Sequence, residues 1–401
     1  MAALTTGSTG SLKSDSSPWI IVGQVAAALA VGMGIGRFVY TPILPLMVAQ
    51  AHMTSQLGGL VATGNYVGYL AGAMAGIFVP RLLHSKVTLR ISLVVVVLTL
   101  AGMPVTEHGA VWFVLRLIAG IASALVFMVA VSSMLTHLRA HGYHLAGWAF
   151  GGVGAGIALS GILVLVLRAV SNWTAAWIAS AILAAILSAL AWPMKTQPPT
   201  AQPDGAAKLT YPRSHRWFSA LMVSYSLEGI GYIIAGTFLV AAIDQSIPGW
   251  IGSGAWVLVG LAALPSSALW AWLAHRFARP VLLLAALIIQ AIGIALPALF
   301  GGVVPAIISA ILFGATFLGI GTIALAIGAH LRFPRSVALL TTGYSVGQIL
   351  GPLLVTPVLN HGYHDALLIG AATVSIAALA AILLGLRFPH KVEPLDAVDE
   401  D

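Results

Sequence analysis

The sequence predicts an all-α integral membrane protein of twelve transmembrane helices in two pseudo-symmetric six-helix bundles. Three observations carry that expectation. Hydrophobic residues make up 59% of the chain and charged residues 7%, with a mean hydropathy of +1.00, values far from those of soluble domains. Twelve apolar runs each approach or exceed the roughly 20 residues needed to cross a hydrocarbon core of about 30 Å. One long polar interruption, 194–216, parts those runs six and six.

Taken in order, residues 1–18 are rich in Ser, Thr and Gly and lack the basic region and cleavage site of a signal peptide, so they read as a disordered tail. The first run, 19–49, holds Met33-Gly34-Ile35-Gly36-Arg37 and reads as one long tilted helix. The second (57–79) carries Asn65 and Tyr69, the third covers 88–105, and the fourth (110–135) contains Arg116. The fifth (143–167) is Gly-rich between Gly147 and Gly161, small residues that let helices pack closely, and the sixth covers 174–193. Residues 194–216, with Pro198, Pro199, Pro203 and Pro212 among Gln, Lys and Asp, read as a flexible linker between an N-terminal bundle (19–193) and a C-terminal bundle (217–387). The seventh run, 217–243, repeats the first, because Glu228-Gly229-Ile230-Gly231-Tyr232 matches Met33 to Arg37. The eighth, ninth and tenth cover 250–273, 280–300 and 303–329. The eleventh (337–358) echoes the fifth in Gly343-Tyr344-Ser345-Val346-Gly347-Gln348-Ile349-Leu350-Gly351-Pro352, and after the twelfth (365–386) an acidic tail closes the chain.

The net charge of +7 and pI near 9.9 reflect topology rather than nucleic-acid binding. Fifteen of the 18 Lys and Arg lie in alternate connections and in the tails, while the opposite loops hold Arg168 with Glu107, Asp244 and Asp365. The positive-inside rule then expects both termini in the cytoplasm. With no cysteine, disulfides and thiolate metal sites are excluded. His137 and His141 share a helix spacing but lack a third ligand, so no metal site and no cofactor are expected. There is no Gly-x-x-x-x-Gly-Lys-Ser/Thr loop for a nucleotide, and embedded acid/base groups are too few for a reaction site, so neither a primary pump nor an enzyme is expected.

Only Arg37, Arg116 and Glu228 place a charge well inside an apolar run. A charge near the bilayer centre costs at least about 2.5 to 3.5 kcal/mol, so such residues normally face a cavity or a partner. Glu228 lies about 17 Å along its helix from Trp217, near the midplane, and both arginines fall in the outer half. A planar guanidinium grips a carboxylate, sulfonate or phosphonate in a bidentate manner, which points to an anionic group on a ligand. Glu228, the one embedded carboxyl, is the best proton carrier. The competing reading is a salt bridge from Arg37 or Arg116 to Glu228 that locks the bundles. Tyr40, Asn65, Tyr69, Tyr225, Tyr232, Trp256, Tyr344 and Gln348 also lie within runs and supply the few polar groups that a cavity needs.

This arrangement resembles the major facilitator superfamily. Arg116-Leu117-Ile118-Ala119-Gly120 is similar to its Arg-x-x-x-Gly motif, common among proton-coupled members, and the glycines of the fifth run resemble its antiporter motif without the closing Gly-Pro. The loop after the second run keeps Gly76 and Arg81 but has Pro80 in the place of the motif's Asp, and the loop after the eighth reads His275-Arg276-Phe277-Ala278-Arg279. Arg81, Arg276 and Arg279 are therefore candidate gating residues able to pair with helix C-termini. The strings from Gly34 to Met47 and from Gly64 to Ala73 resemble the bacterial YbfB-like branch. The resemblance implies that the first, fourth and seventh helices face a central cavity, where Arg37, Arg116 and Glu228 share one pocket. It also implies a secondary transporter of the bacterial inner membrane that works as a monomer by alternating access. The expected cargo is a small anionic or amphipathic organic molecule, with protons as coupling partner and export by antiport as the first reading. Uptake of organic acids by symport, multidrug export, and a non-transporting receptor or lipid-handling protein are the alternatives.

Overall fold

The computed structural model of the protein describes residues 17–138, 143–168, 172–196 and 215–389, and the side chains of 143 and 144 fall outside that description. The helices are α1 (Pro18–Leu29), α2 (Tyr40–Gln50), α3 (Ser55–Phe78), α4 (Lys86–Gly102), α5 (Gly109–Leu138), α6 (Tyr143–Arg168), α7 (Trp173–Ala191), α8 (His215–Ser246), α9 (Ile251–Leu273), α10 (Arg279–Leu299), α11 (Val303–His330), α12 (Ser336–Val355) and α13 (His364–Gly385). No strand occurs among the described residues. α1 and α2 together form the first crossing, so the described residues make twelve crossings. Eleven crossings are both long and apolar enough to span a membrane on composition alone. The other, α3, has 24 residues, about 36 Å of helix, and is diluted by six glycines, Asn65, Tyr66 and Tyr69. The tail over 1–16, Arg139, His141, most of the linker and the acidic end lie outside the described residues.

The first crossing corrects the expected continuous helix over 19–49. From Ala30 to Ile35 the backbone widens into a π turn, and irregular turns follow until α2 begins at Tyr40. Within it the Gly36 amide reaches back five residues to the Val31 carbonyl at 2.7 Å, and that of Phe38 to Met33 at 3.3 Å. Pro42 has no N–H to offer the Phe38 carbonyl and its ring crowds the preceding turn. The Thr41 amide therefore turns to Phe38, at 3.2 Å, and leaves the Arg37 carbonyl without its helical donor.

Three other helix starts follow ordinary capping chemistry. The side chains of Thr54, Ser85 and Asn172 accept from the amides of Leu57, Thr88 and Ala175 at 3.2, 3.2 and 2.9 Å. Close helix crossings depend on missing side chains. A Cβ on Gly68 of α3 would fall 1.9 Å from the Leu117 carbonyl of α5, and one on Gly120 would fall 2.1 Å from that of Asn65. In the same way Gly154 of α6 and Gly260 of α9 bring the two bundles together along those helices.

Arg81, Lys86, Arg90, Arg276, Arg279, Arg332 and Arg335 cluster at the helix ends of one face, called here the basic face. Toward the opposite face the bundles are bound to each other. Arg168 pairs with Asp244 at 2.6 Å, Ser55 Oγ meets the Tyr363 hydroxyl at 2.9 Å, and Thr41 donates to the Gly236 carbonyl. Every residue from Ala27 to Leu44 and from Gly231 to Ile243 is buried, so the outer parts of both central crossings are enclosed on all sides. A matched pair of ties repeats in the two halves. The Trp173 amide at the start of α7 donates to Gln50 at 2.8 Å, and the Tyr363 amide before α13 donates to Gln245 at 2.9 Å.

Candidate functional site

The irregular turn of the first crossing places Arg37 where the bundles meet. The residue is 2% exposed, and its guanidinium donates through Nη2 to Gln348 Oε1 of α12 at 2.6 Å. Three rings surround it, Tyr69 at 4.6 Å, Tyr66 at 5.1 Å and Phe38 at 5.3 Å, the geometry in which a desolvated cation is held by π faces. Its Nε has no partner. Tyr66 in turn meets Thr237 of α8 at 2.8 Å, so the box around Arg37 is itself built from both bundles.

Arg116 stands on the backbone of that turn. Nη1 donates to the Gly36 carbonyl at 2.8 Å and Nη2 to the Arg37 carbonyl at 2.7 Å. These contacts supply donors where the broken helix offers few. Tyr40 lies under the guanidinium at 5.1 Å and donates its hydroxyl to the Gly58 carbonyl at 2.9 Å. Asn65 Nδ2 donates to the Arg116 carbonyl at 3.1 Å. Arg116, Tyr40 and Asn65 thus tie α2, α3 and α5 around the turn.

Glu228 of α8 is fully buried, and neither carboxyl oxygen has a hydrogen-bond partner. No ion pair joins it to Arg37 or Arg116, since among the described residues the ion pair seen is Arg168 with Asp244. Tyr225, Tyr232 and Tyr344 lie within electrostatic reach of the carboxyl, and Gln290 of α10 stands beside it. The three tyrosines form a tier of near-parallel rings, Tyr225 to Tyr344 at 4.4 Å and Tyr344 to Tyr232 at 5.6 Å, which continues to Phe317 at 5.9 Å. Phe38 closes it from the first bundle, 6.0 Å from Phe317 and 6.5 Å from Trp256, whose indole nitrogen is buried without a partner. Arg37 also faces Tyr232 and Tyr344, so one tier has a cation on its first-bundle side and a carboxyl on its second. The rings close on one another in this conformation, while Tyr344 is partly exposed.

The arrangement brings Arg37, Tyr69, Tyr232, Trp256, Tyr344, Gln348 and Glu228 to one region and leaves Arg116, Tyr40 and Asn65 bound to its frame. Arg81, Arg276 and Arg279 sit at the basic face, where Arg276 lies over Trp272 at 4.4 Å. Sequence reading passed over Phe38, Tyr66, Phe317 and Gln290. Of these Gln290 carried a signal, as the lone amide in an apolar run.

Known proteins divide clearly by the kind of likeness. The family model described as "Uncharacterised MFS-type transporter YbfB" matches residues 29–382. No curated protein matches the chain. Among solved structures, a point mutant of the nucleoside transporter NupG superposes with a TM-score of 0.71 at 15% identity, over 90% of this chain and 99% of that one. Unmutated NupG superposes with a TM-score of 0.68 at 14% identity, over 91% and 99%. At such identity the likeness concerns the fold.

Proposed function

The chain belongs to the YbfB-type family of major facilitator transporters, a multi-pass membrane secondary transporter, and from that premise we propose that it couples export of a small organic anion to proton entry. The observation that carries the reading is Glu228, a fully buried carboxyl that makes no ion pair and whose oxygens accept no hydrogen bond, on the second-bundle side of the tyrosine tier. An ionised carboxylate cannot rest in such a place without large cost, so it takes up a proton when the site closes and releases it when water returns. Arg37 supplies the anion's partner, exchanging Gln348 for a carboxylate or sulfonate, and the tyrosine tier receives an apolar or aromatic body. Because the basic face carries the excess of Lys and Arg, it is the cytoplasmic face of a bacterial inner membrane, with both termini there. One chain holds every group invoked, so a monomer suffices.

Proteoliposomes with an imposed pH gradient test this, using p-toluenesulfonate as a permanently charged aromatic anion. An acidic lumen drives its accumulation through the wild-type protein. Glu228→Gln abolishes that accumulation but keeps p-toluenesulfonate counterflow, and gradient-driven accumulation at the wild-type level by this variant sinks the reading. A second reading draws on the nucleoside transporters of like fold: flat rings together with the Gln348 and Gln290 amides also suit a neutral heteroaromatic compound. Carriage of uridine with no carriage of p-toluenesulfonate favours it.

A further inference from the structure

We propose that Gln290 is the positioning residue of the proton site, its amide serving as donor to the Glu228 carboxylate and as acceptor for the Glu228 carboxylic acid. The inference rests on the reading of Glu228 as the proton carrier. From Val281 to Leu299, α10 is apolar apart from Gln290, which is fully buried. Its Nε2 and Oε1, like both carboxyl oxygens of Glu228, have no hydrogen-bond partner. Buried polar atoms are satisfied in the great majority of cases, so four orphaned atoms on two adjoining side chains require an explanation. Each side chain offers what the other lacks.

An amide is a neutral group that can serve both protonation states. With the proton on Glu228, its hydroxyl donates to Gln290 Oε1. After the proton leaves, rotation about the soft terminal torsion of Gln290 turns Nε2 toward the carboxylate, and a charge-assisted hydrogen bond holds the anion. A cation in this position would favour one state only. The other titratable groups facing Glu228 are Tyr225 and Tyr232 on its own helix and Tyr344 of α12, with Tyr69 and Arg37 reaching the tier from the first bundle. Tyr40 of α2 is engaged with Gly58. α9 contributes no titratable residue, and those of α10, α11 and α13 (Arg279, His330, His364, Asp365) lie at helix ends.

The test is infrared titration of the full-length protein in lipid, which needs no substrate. The Glu228 carboxyl C=O band is identified by its loss in Glu228→Gln. In Gln290→Met, which keeps the length of the side chain and removes the amide, the titration midpoint of that band moves by about one pH unit or more and its frequency rises toward that of an unbonded carboxyl. Gln290→Asn retains an amide and shifts less. A band unchanged in midpoint and frequency in a Gln290→Met protein with wild-type thermal stability overturns the inference. If that variant does not fold, the wild-type band decides: the frequency of a hydrogen-bonded carboxyl supports the inference, and that of a free one overturns it. Proton-driven transport surviving in Glu228→Gln would defeat the function proposed above, whereas an inert Gln290 would defeat only its place in it.

Discussion

Arg116 donates to the main-chain carbonyl of Arg37 at 2.7 Å, so one embedded arginine holds the turn that presents the other. The two cations that look equivalent in sequence therefore differ in kind. Arg116 is bound to backbone, whereas Arg37 reaches across to a side chain of the opposite bundle.

Arg116→Leu strips donors from two buried carbonyls. Leaving each unsatisfied costs about 1 to 3 kcal/mol. A clear fall in the midpoint of thermal unfolding is expected, accompanied by loss of anion binding because the Arg37 turn relaxes. Unchanged stability in a melting experiment would remove Arg116 from this role.

Arg37→Lys keeps the charge but not the planar fork, and the variant should fold because the turn is held by Arg116. Affinity for p-toluenesulfonate is expected to drop roughly tenfold or more, about the 1.4 kcal/mol of a lost charge-assisted hydrogen bond. Wild-type affinity by calorimetry would mean that Arg37 does not touch the anion.

Arg168 and Asp244 join the bundles at the face opposite the basic one, with side chains 19% and 18% exposed. A pair in that setting contributes about 0.2 to 1 kcal/mol, so removing it shifts the balance between closed and open states by up to about fivefold. The chain has no cysteine, so a single Leu239→Cys reports directly on opening. Asp244→Asn should raise its labelling by a water-soluble maleimide several-fold, while equal rates with and without the pair would show that it is no latch.

Gly68 and Gly23 form a contrast within one bundle. Alanine at Gly68 would press its methyl against the Leu117 backbone, an overpacking of about 1 to 3 kcal/mol or more, whereas nothing lies within 4 Å of the Cβ position at Gly23. Gly68→Ala is expected to lower folded yield sharply and Gly23→Ala to leave it unchanged, as judged by size-exclusion chromatography in detergent. Equal yields would mean that the crossing of α3 and α5 gives way at little cost.

The number of crossings, the repeat that pairs Arg37 with Tyr232 and the three embedded charges follow from the sequence, because apolar length and the expense of burying a charge are properties of each segment by itself. α3 is legible despite its glycines because 57–79 is still long enough to cross and holds no charged residue. What each buried polar atom meets is a different matter. The break in the first crossing, the carbonyls under Arg116, the rings around Arg37 and the meeting of Glu228 with Gln290 depend on how helices far apart in the chain are rotated and how closely they cross. Those relations arise from packing between segments, and only the tertiary structure decides them.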